Sequence, residues 1–203
     1  MQNQSRIVVE NVAPQLNGGA VFIKRVVDEI VTVTADVLVD GHDVIQASLL
    51  YKHESEKKWS ETRMNPTFND EFSASFQTSK QGFYSYKVQG WVDYALNWQH
   101  GIQRKIDDYQ HVNSELLEGA VIVESLLNKV SEDDKNYLLH LIYIFKNPES
   151  YNEAIKEAVS ERLHNLFKNN PEKKLPFTSQ DFQVYVDRKK ARFSTWYEFF
   201  PRS

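Results

Sequence analysis

The sequence predicts an α+β protein in which an antiparallel β-sandwich is interrupted by a block of helices. Three observations favour this fold class. Up to residue 98, short runs of alternating apolar and polar residues are separated by turn residues at intervals of about ten positions. From Ile102 onward the apolar residues recur every three or four positions, which is the helical spacing. The alternation then returns at Phe182–Val186, so the helices are expected to be an insertion in one β-domain. A β-barrel is the alternative architecture for the strands.

The first part of the chain contains several short strands. The segment 30–40 places Val31, Val33 and Val37 on one face and polar residues on the other, as in a sheet with one solvated side. A turn at 40–43 then joins it to the next strand as a hairpin. A further strand is expected around Trp59. The other predicted strands in this part of the chain are Arg6–Val12, Ile45–Lys52 and Glu71–Thr78.

The segment Phe83–Trp98 marks the change from strands to helices. Aromatic residues and Val alternate along it with a period of two, which predicts a strand. Gly90 inside that strand indicates a bulge or a close backbone approach. Trp91 and Trp98 are expected to fill the space between a β layer and a helical layer, because each buries a large apolar area. Sugar stacking on exposed rings is the functional alternative.

Three antiparallel helices are predicted after this segment. The first would extend from Ile102 to Val130, a length of about 43 Å, with Gly119 as a possible bend. The second is expected at 131–146 and the third at 151–169. Because the first is about twice as long as the second, part of its apolar stripe should stay exposed and form a protein interface. The interface candidates are Leu116, Ala120, Val123 and Leu127.

Composition excludes several functional classes. The 203 residues carry a net charge of −4, which is not the basic balance of a nucleic-acid-binding protein. No apolar run is long enough for a bilayer span, so no membrane partner is expected. The chain has no cysteine, which fits a cytoplasmic location and excludes thiolate-ligated metals. No cofactor is expected.

The candidate reactive residues have simpler explanations. Asp107, His111 and Glu115 would align on one face of a continuous helix and could bind a divalent metal, but charged residues on a helix face are commonly solvated surface. His42 lies between two aspartates in a turn, and turn chemistry explains it better than a catalytic base. The basic run 188–192 could bind phosphate or could protect a sheet edge. We find no catalytic set in this sequence.

A combination of motifs nevertheless resembles one enzyme family. The motifs are Arg6–Pro14, Gly18-Gly19 with Lys24-Arg25, Ala35-Asp36 followed by Asp40–Asp43, Trp59, Asn69-Asp70, Gly82–Tyr86, Gly90–Asp93 with Trp98, Glu115-Leu116 with Glu118–Ala120, and Trp196–Ser203. Together they are similar to the N-terminal region of the bacterial maltosyltransferases that extend α-1,4-glucans from maltose 1-phosphate and are related to the α-amylases. The resemblance covers nearly the whole chain, from Arg6 to Ser203.

The resemblance implies an immunoglobulin-like β-domain, residues 1–98 completed by 180–203, with a helical insertion at 99–179. It implies that the helical part helps to form a homodimer and that the region shapes the neighbouring donor site. The catalytic (β/α)₈ barrel, with its nucleophilic Asp and acid/base Glu, would follow residue 203, so this chain itself would not be the catalyst. The candidates for packing against that barrel are Trp91, Trp98, Trp196, Tyr197 and Phe200. A free-standing carbohydrate-binding module with Trp59, Trp91 or Trp98 as its platform is the alternative, and the exposure of these indoles distinguishes the two.

Overall fold

A computed structural model describes residues 5–193 of the chain. The chain folds into two compact units, one built of strands and one of helices. The sheet unit comprises, among the described residues, 5–40, Ile45–Trp91 and 175–193. The helical unit comprises Gly41–Val44 and Val92–Lys174.

The described residues form ten strands and five α-helices. The strands are β1 Ile7–Ala13, β2 Ile23–Val26, β3 Ile30–Val39, β4 Ile45–His53, β5 Ser60–Arg63, β6 Asn65–Pro66, β7 Glu71–Gln77, β8 Gly82–Val92, β9 Phe177–Thr178 and β10 Phe182–Asp187. The helices are α1 Tyr94–Asp107, α2 Asn113–Glu124, α3 Glu132–Lys146, α4 Tyr151–Ala158 and α5 Glu161–Asn169.

The strands form two sheets in a sandwich-like arrangement. One sheet has four antiparallel strands in the order β1-β3-β7-β6. The other has six strands in the order β2-β10-β8-β4-β5, with β9 paired to the end of β8. The late strand β10 pairs with β8 and β2, which confirms that the chain returns to the early strands after the helices. The β10–β2 pair is parallel, so the expectation of a wholly antiparallel sandwich was wrong.

The core of the sheet unit follows directly from the alternation in the sequence. Along β3, Val31, Val33 and Val37 are fully buried, and burying such a side chain contributes about 1.5–3 kcal/mol. Rings from the two sheets meet between them, with Tyr51 of β4 stacked on Phe76 of β7 at a centroid distance of 4.7 Å. The alternation thus places one apolar face of each sheet in a shared core.

Strand β8 has the two faces that the sequence predicts. Tyr84, Tyr86 and Val88 are buried, and the residues between them are half-buried. A Cβ at Gly90 would lie 2.7 Å from Cγ1 of Val37 on β3. The close neighbour is therefore a side chain rather than the backbone that the sequence suggested, and its space explains the glycine in the strand.

Side-chain caps begin three of the helices. Asp93 accepts a hydrogen bond from the Leu96 amide at the start of α1. Ser131 and Ser160 cap α3 and α5 in the same way. Such caps satisfy amide groups that have no partner within the helix, and each is worth about 1 kcal/mol. The caps therefore mark helix starts that the apolar spacing alone does not locate.

The three-helix prediction was wrong, because two of the predicted helices are broken. The expected helix from Ile102 to Val130 is interrupted at 108–112, where Tyr109 takes a left-handed conformation with φ of 56°. The expected helix at 151–169 is interrupted between Ala158 and Glu161, where Ser160 caps a new helix. Neither break contains Gly or Pro. In the part of the chain that the structure covers, no helix has both the length and the apolar character to cross a bilayer.

Candidate functional site

The predicted interface stripe lies mostly inside the helical unit. Leu116, Ala120 and Val123 are 0–3% exposed and belong to its hydrophobic core, and Leu127 packs against that core. The helix breaks after α1, and α2 packs against α3 with these residues in the core. The expectation of an exposed patch at these four positions was therefore wrong.

Trp98 is at the centre of the helical unit. Its indole donates a hydrogen bond to the Glu115 carbonyl at 2.8 Å, and its ring lies 6.1 Å from the rings of Phe145 and Phe167. A Cβ at Gly119 would come within 2.2 Å of Trp98 Cζ2. The glycine expected to bend a helix instead makes room for this ring.

Trp91 is fully buried in the sheet unit, with the Arg63 guanidinium 5.1 Å from its ring centroid. Neither Trp91 nor Trp98 can therefore present an open ring to a sugar. The other aromatic packing candidates, Trp196, Tyr197 and Phe200, lie outside the described residues. Of the three tryptophans considered as a sugar platform, this leaves Trp59.

Trp59 is half-buried, and the ammonium groups of two lysines lie over its ring. It directly precedes β5, and the ammonium groups of Lys52 and Lys87 lie 4.8 Å and 4.0 Å from its ring centroid. Lys87 also pairs with Asp181 at 3.2 Å. Cation–π contacts of this kind contribute about 0.5–1 kcal/mol at exposed sites.

A shallow recess of about 390 Å³ opens beside this ring. It is lined by Glu56, Lys57, Lys58, Trp59 and Ser60. The Glu56 carboxylate faces Lys80 at 3.5 Å and accepts a hydrogen bond from the His53 amide at 3.3 Å. The recess therefore combines an aromatic ring with exposed ammonium groups.

The candidate metal ligands are not brought together. Asp107 ends α1, His111 lies in the turn that follows, and Glu115 is in the first turn of α2, so the expected alignment on one helix was wrong. Glu115 instead pairs with Lys105, and the hydrogen bond from that ammonium lowers the pKa of the Glu115 carboxyl. Across residues 5–193, no three His, Asp or Glu side chains are grouped so as to hold a metal ion.

The other two candidate sites are occupied by structural contacts. Gly41 has φ of 111° beside His42, and Asp43 accepts a hydrogen bond from the Asn97 side chain at 3.0 Å, which fits a turn. In the basic run, Lys189 and Arg192 form ion pairs with Asp28 and Glu29 at the β2–β3 turn.

Together these features define an α+β domain in which a helical unit interrupts a two-sheet unit between β8 and β9. Residues 5–188 match the family described as alpha-1,4-glucan:maltose-1-phosphate maltosyltransferase, domain N/S. The chain belongs to this maltosyltransferase family.

Relatives that carry the name alpha-1,4-glucan:maltose-1-phosphate maltosyltransferase align with nearly the whole chain. The protein of Chlorobaculum tepidum is 39% identical over 199 residues, covering 98% of this chain and 30% of the relative. That of Salinibacter ruber is 35% identical over 202 residues, covering 98% of this chain and 30% of the relative. That of Mycobacterium tuberculosis is 28% identical over 225 residues, with coverage of 98% and 32%. The chain thus spans about 30% of the length of these relatives.

Proposed function

We propose that this chain is the non-catalytic N-terminal region of an enzyme that extends α-1,4-glucans with maltosyl units from maltose 1-phosphate. The observation that carries the proposal is the match of residues 5–188 to domain N/S of that family. The chain aligns with only about 30% of the length of the relatives. Its role is to pack against the catalytic barrel and to shape the neighbouring donor site. The enzyme acts in the cytoplasm.

Catalysis in this proposal belongs to a barrel outside the chain. A double displacement at a glycosidic carbon needs two carboxyl groups about 5–5.5 Å apart, one as nucleophile and one as acid and base. Asp107 and Glu115, which the sequence suggested only as metal ligands, have other partners: Glu115 pairs with Lys105, and Asp107 accepts a hydrogen bond from Gln103. This supports an assembly role for the chain.

The domain division belongs to the same proposal. The sheet unit is immunoglobulin-like, and the helical unit is its insertion, with bounds that differ from the expected 99–179 because α1 already begins at Tyr94 and β9 at Phe177. The sandwich-like pair of sheets and the return of β10 to β8 support this division.

Self-association through the helical unit is a further part of the proposed function, with a second copy of the chain as the partner. Its support is a set of exposed apolar side chains on two helices that pack together. Leu117 and Val121 are 53% and 65% exposed and lie one turn apart on α2. Leu139 and Tyr143, 47% and 65% exposed, have the same spacing on α3. Exposed apolar surface of this kind is typical of protein interfaces.

A chimera tests the proposed function. In the Chlorobaculum tepidum relative, the region aligned with this chain is replaced by this chain, and transfer from maltose 1-phosphate to glucan is measured. We expect transfer by the chimera, no transfer by the 203-residue chain alone, and no transfer by the relative without this region. Any turnover by the isolated chain would contradict the proposal, whether or not it survives Asp107→Asn and Glu115→Gln, as would an inactive chimera that is folded.

A further inference from the structure

The ring of Trp59 lies over the solvent-facing side of the six-stranded sheet. In the β4–β5 pair, Tyr51 is opposite Ser60, so the next pair places Lys52 opposite Trp59. Lys87 is on β8, the strand on the other side of β4. Because both ammonium groups lie within 5 Å of the ring centroid, the indole extends from the sheet edge toward the third strand.

The charge around this ring is mainly positive. Carboxylates near it already have partners, since Glu56 faces Lys80 and Asp181 faces Lys87. Glu61, on the adjoining strand β5, accepts a hydrogen bond from the Ser48 hydroxyl at 2.6 Å. The recess itself adds two consecutive exposed lysines, Lys57 and Lys58. An anion that enters the recess therefore meets ammonium groups.

We propose that the recess at Trp59 binds an anionic sugar, with the indole in contact with the sugar ring and Lys57 and Lys58 bound to its phosphate. An indole offers a flat apolar surface to the C–H face of a sugar, and an ammonium binds phosphate as a point charge. The recess volume of about 390 Å³ lies within the range of sites that bind small molecules. The proposal rests on the proposed function only for the choice of maltose 1-phosphate as the probe.

Calorimetric titration of the whole 203-residue chain tests this site. Maltose 1-phosphate, maltose and inorganic phosphate are titrated separately, up to about 10 mM, at low and at high salt. We expect maltose 1-phosphate to bind at least about tenfold more tightly than either of the other two, and its affinity to fall with salt because the lysines are exposed.

Variants locate the binding. Lys57→Gln with Lys58→Gln should raise the Kd for maltose 1-phosphate about tenfold and leave the melting temperature unchanged, because both side chains are exposed. Trp59→Leu should have a similar effect on the Kd. The matched controls, Lys156→Gln in the helical unit and Phe68→Leu on another exposed loop, should bind as the wild type does.

Each other result overturns the inference. Equal affinity for inorganic phosphate would mean a simple anion site, and equal affinity for maltose would mean a neutral sugar platform. No binding at about 10 mM, or binding that the Lys57/Lys58 double variant does not weaken, would mean that the ring only covers the sheet. A failed titration beside an active chimera would remove this site and leave the proposed function intact.

Discussion

The contact between Trp98 and Gly119 shows how one missing methyl group defines the helical core. Trp98 projects from α1 and meets α2 at the glycine, where a Cβ would overlap the indole. Its N–H reaches the Glu115 carbonyl one turn earlier on α2. From the sequence alone, Gly119 is only a residue that disfavours a helix. The ring that requires a glycine there belongs to Trp98, 21 positions away in the chain. The burial of Trp98 was predictable from its size, whereas its place in the helical core and its partner were not.

Two glycine substitutions test this contact, because they are expected to change the free energy of unfolding in opposite directions. Gly119→Ala should lower the free energy of unfolding by about 1–3 kcal/mol, because the indole must shift. Gly101→Ala should raise it by about 0.5–1 kcal/mol, because a Cβ there meets nothing within 4 Å and alanine favours the helix. Urea unfolding followed by circular dichroism at 222 nm measures both. Equal effects of the two changes would refute the packing role of Gly119.

The raised pKa of Tyr137 predicts that the stability of the helical unit falls at alkaline pH. Its hydroxyl donates to Glu157 at 2.8 Å, and burial, as the largest cause, raises its pKa to about 12. In the unfolded chain the pKa is about 10, so the folded state holds the proton more tightly. The contribution to stability is complete below pH 10 and is lost as pH rises toward 12.

We therefore expect wild type to lose more stability than Tyr137→Phe between pH 8 and pH 11, by on the order of 1 kcal/mol. Urea midpoints at the two pH values measure the difference. Tyr51→Phe, at a tyrosine of the sheet unit, is the control and should follow the wild type. The same loss in Tyr137→Phe as in wild type would contradict this assignment.

At the scale of elements, the strands were predictable and the helix ends were not. The alternation of apolar and polar residues in β3 and β8 correctly predicts which side chains are buried, because successive side chains of a strand point to opposite faces. The apolar spacing of three or four residues continues through Ile106, Tyr109, Val112 and Leu116 although the helix breaks at 108–112. Ser160 and Asp93 are the local signals that identify two of the missed helix starts. The parallel β2–β10 pair has no such signal, because the four residues of β2 include Lys24 and Arg25.

The sequence likewise does not show that Lys52 and Lys87 lie beside Trp59, because strand pairing cannot be read from it. Lys52 and Lys87 are seven and 28 positions from Trp59 in the chain. Only the order of β5, β4 and β8 in the sheet brings them together. Sequence reasoning could therefore select Trp59 as a candidate but could not describe its surroundings.

The ion pair between Lys105 and Glu115 joins the two helices across the break at 108–112. The hydrogen bond from Lys105 lowers the folded pKa of Glu115 below the unfolded value of about 4.3. Its contribution to stability is therefore present above pH 4.3 and is lost as pH falls through the folded pKa. Acid should weaken this connection between α1 and α2.

Glu115→Gln should accordingly be less stable than the wild type at pH 7, and the difference should shrink as pH falls below about 4. The control is Glu153→Gln, whose partner His140 and own side chain are both about half exposed, and it should change stability by less than about 0.5 kcal/mol. Thermal unfolding across pH 3–7 measures both variants. A difference that stays constant over this range would contradict the pKa assignment.

At the scale of the whole molecule, α2 offers a test that separates folding from self-association. Val121 and Val123 are two positions apart, so they point to different sides of the helix. Val121 is 65% exposed, whereas Val123 is fully buried in the helical core. A carboxylate at Val123 would be buried without a partner, which typically costs several kcal/mol. A carboxylate at Val121 would remain in solvent in the monomer and would be buried only in a complex of two copies.

We therefore expect the wild-type chain to be a dimer in solution and Val121→Glu to be a monomer that keeps the helical circular dichroism of the wild type. Its melting temperature should fall only by the contribution that dimerisation makes to stability. Val123→Glu should instead lose helical circular dichroism, because its charge disrupts the core. Tyr109→Glu is the control for an added charge on this unit, since Tyr109 is 97% exposed in the α1–α2 turn and outside the proposed contact. Light scattering over a range of concentrations measures the mass of each variant. A wild-type chain that stays monomeric, or a Val121→Glu chain that dimerises as tightly as the wild type, would exclude this face of α2 as the contact between copies.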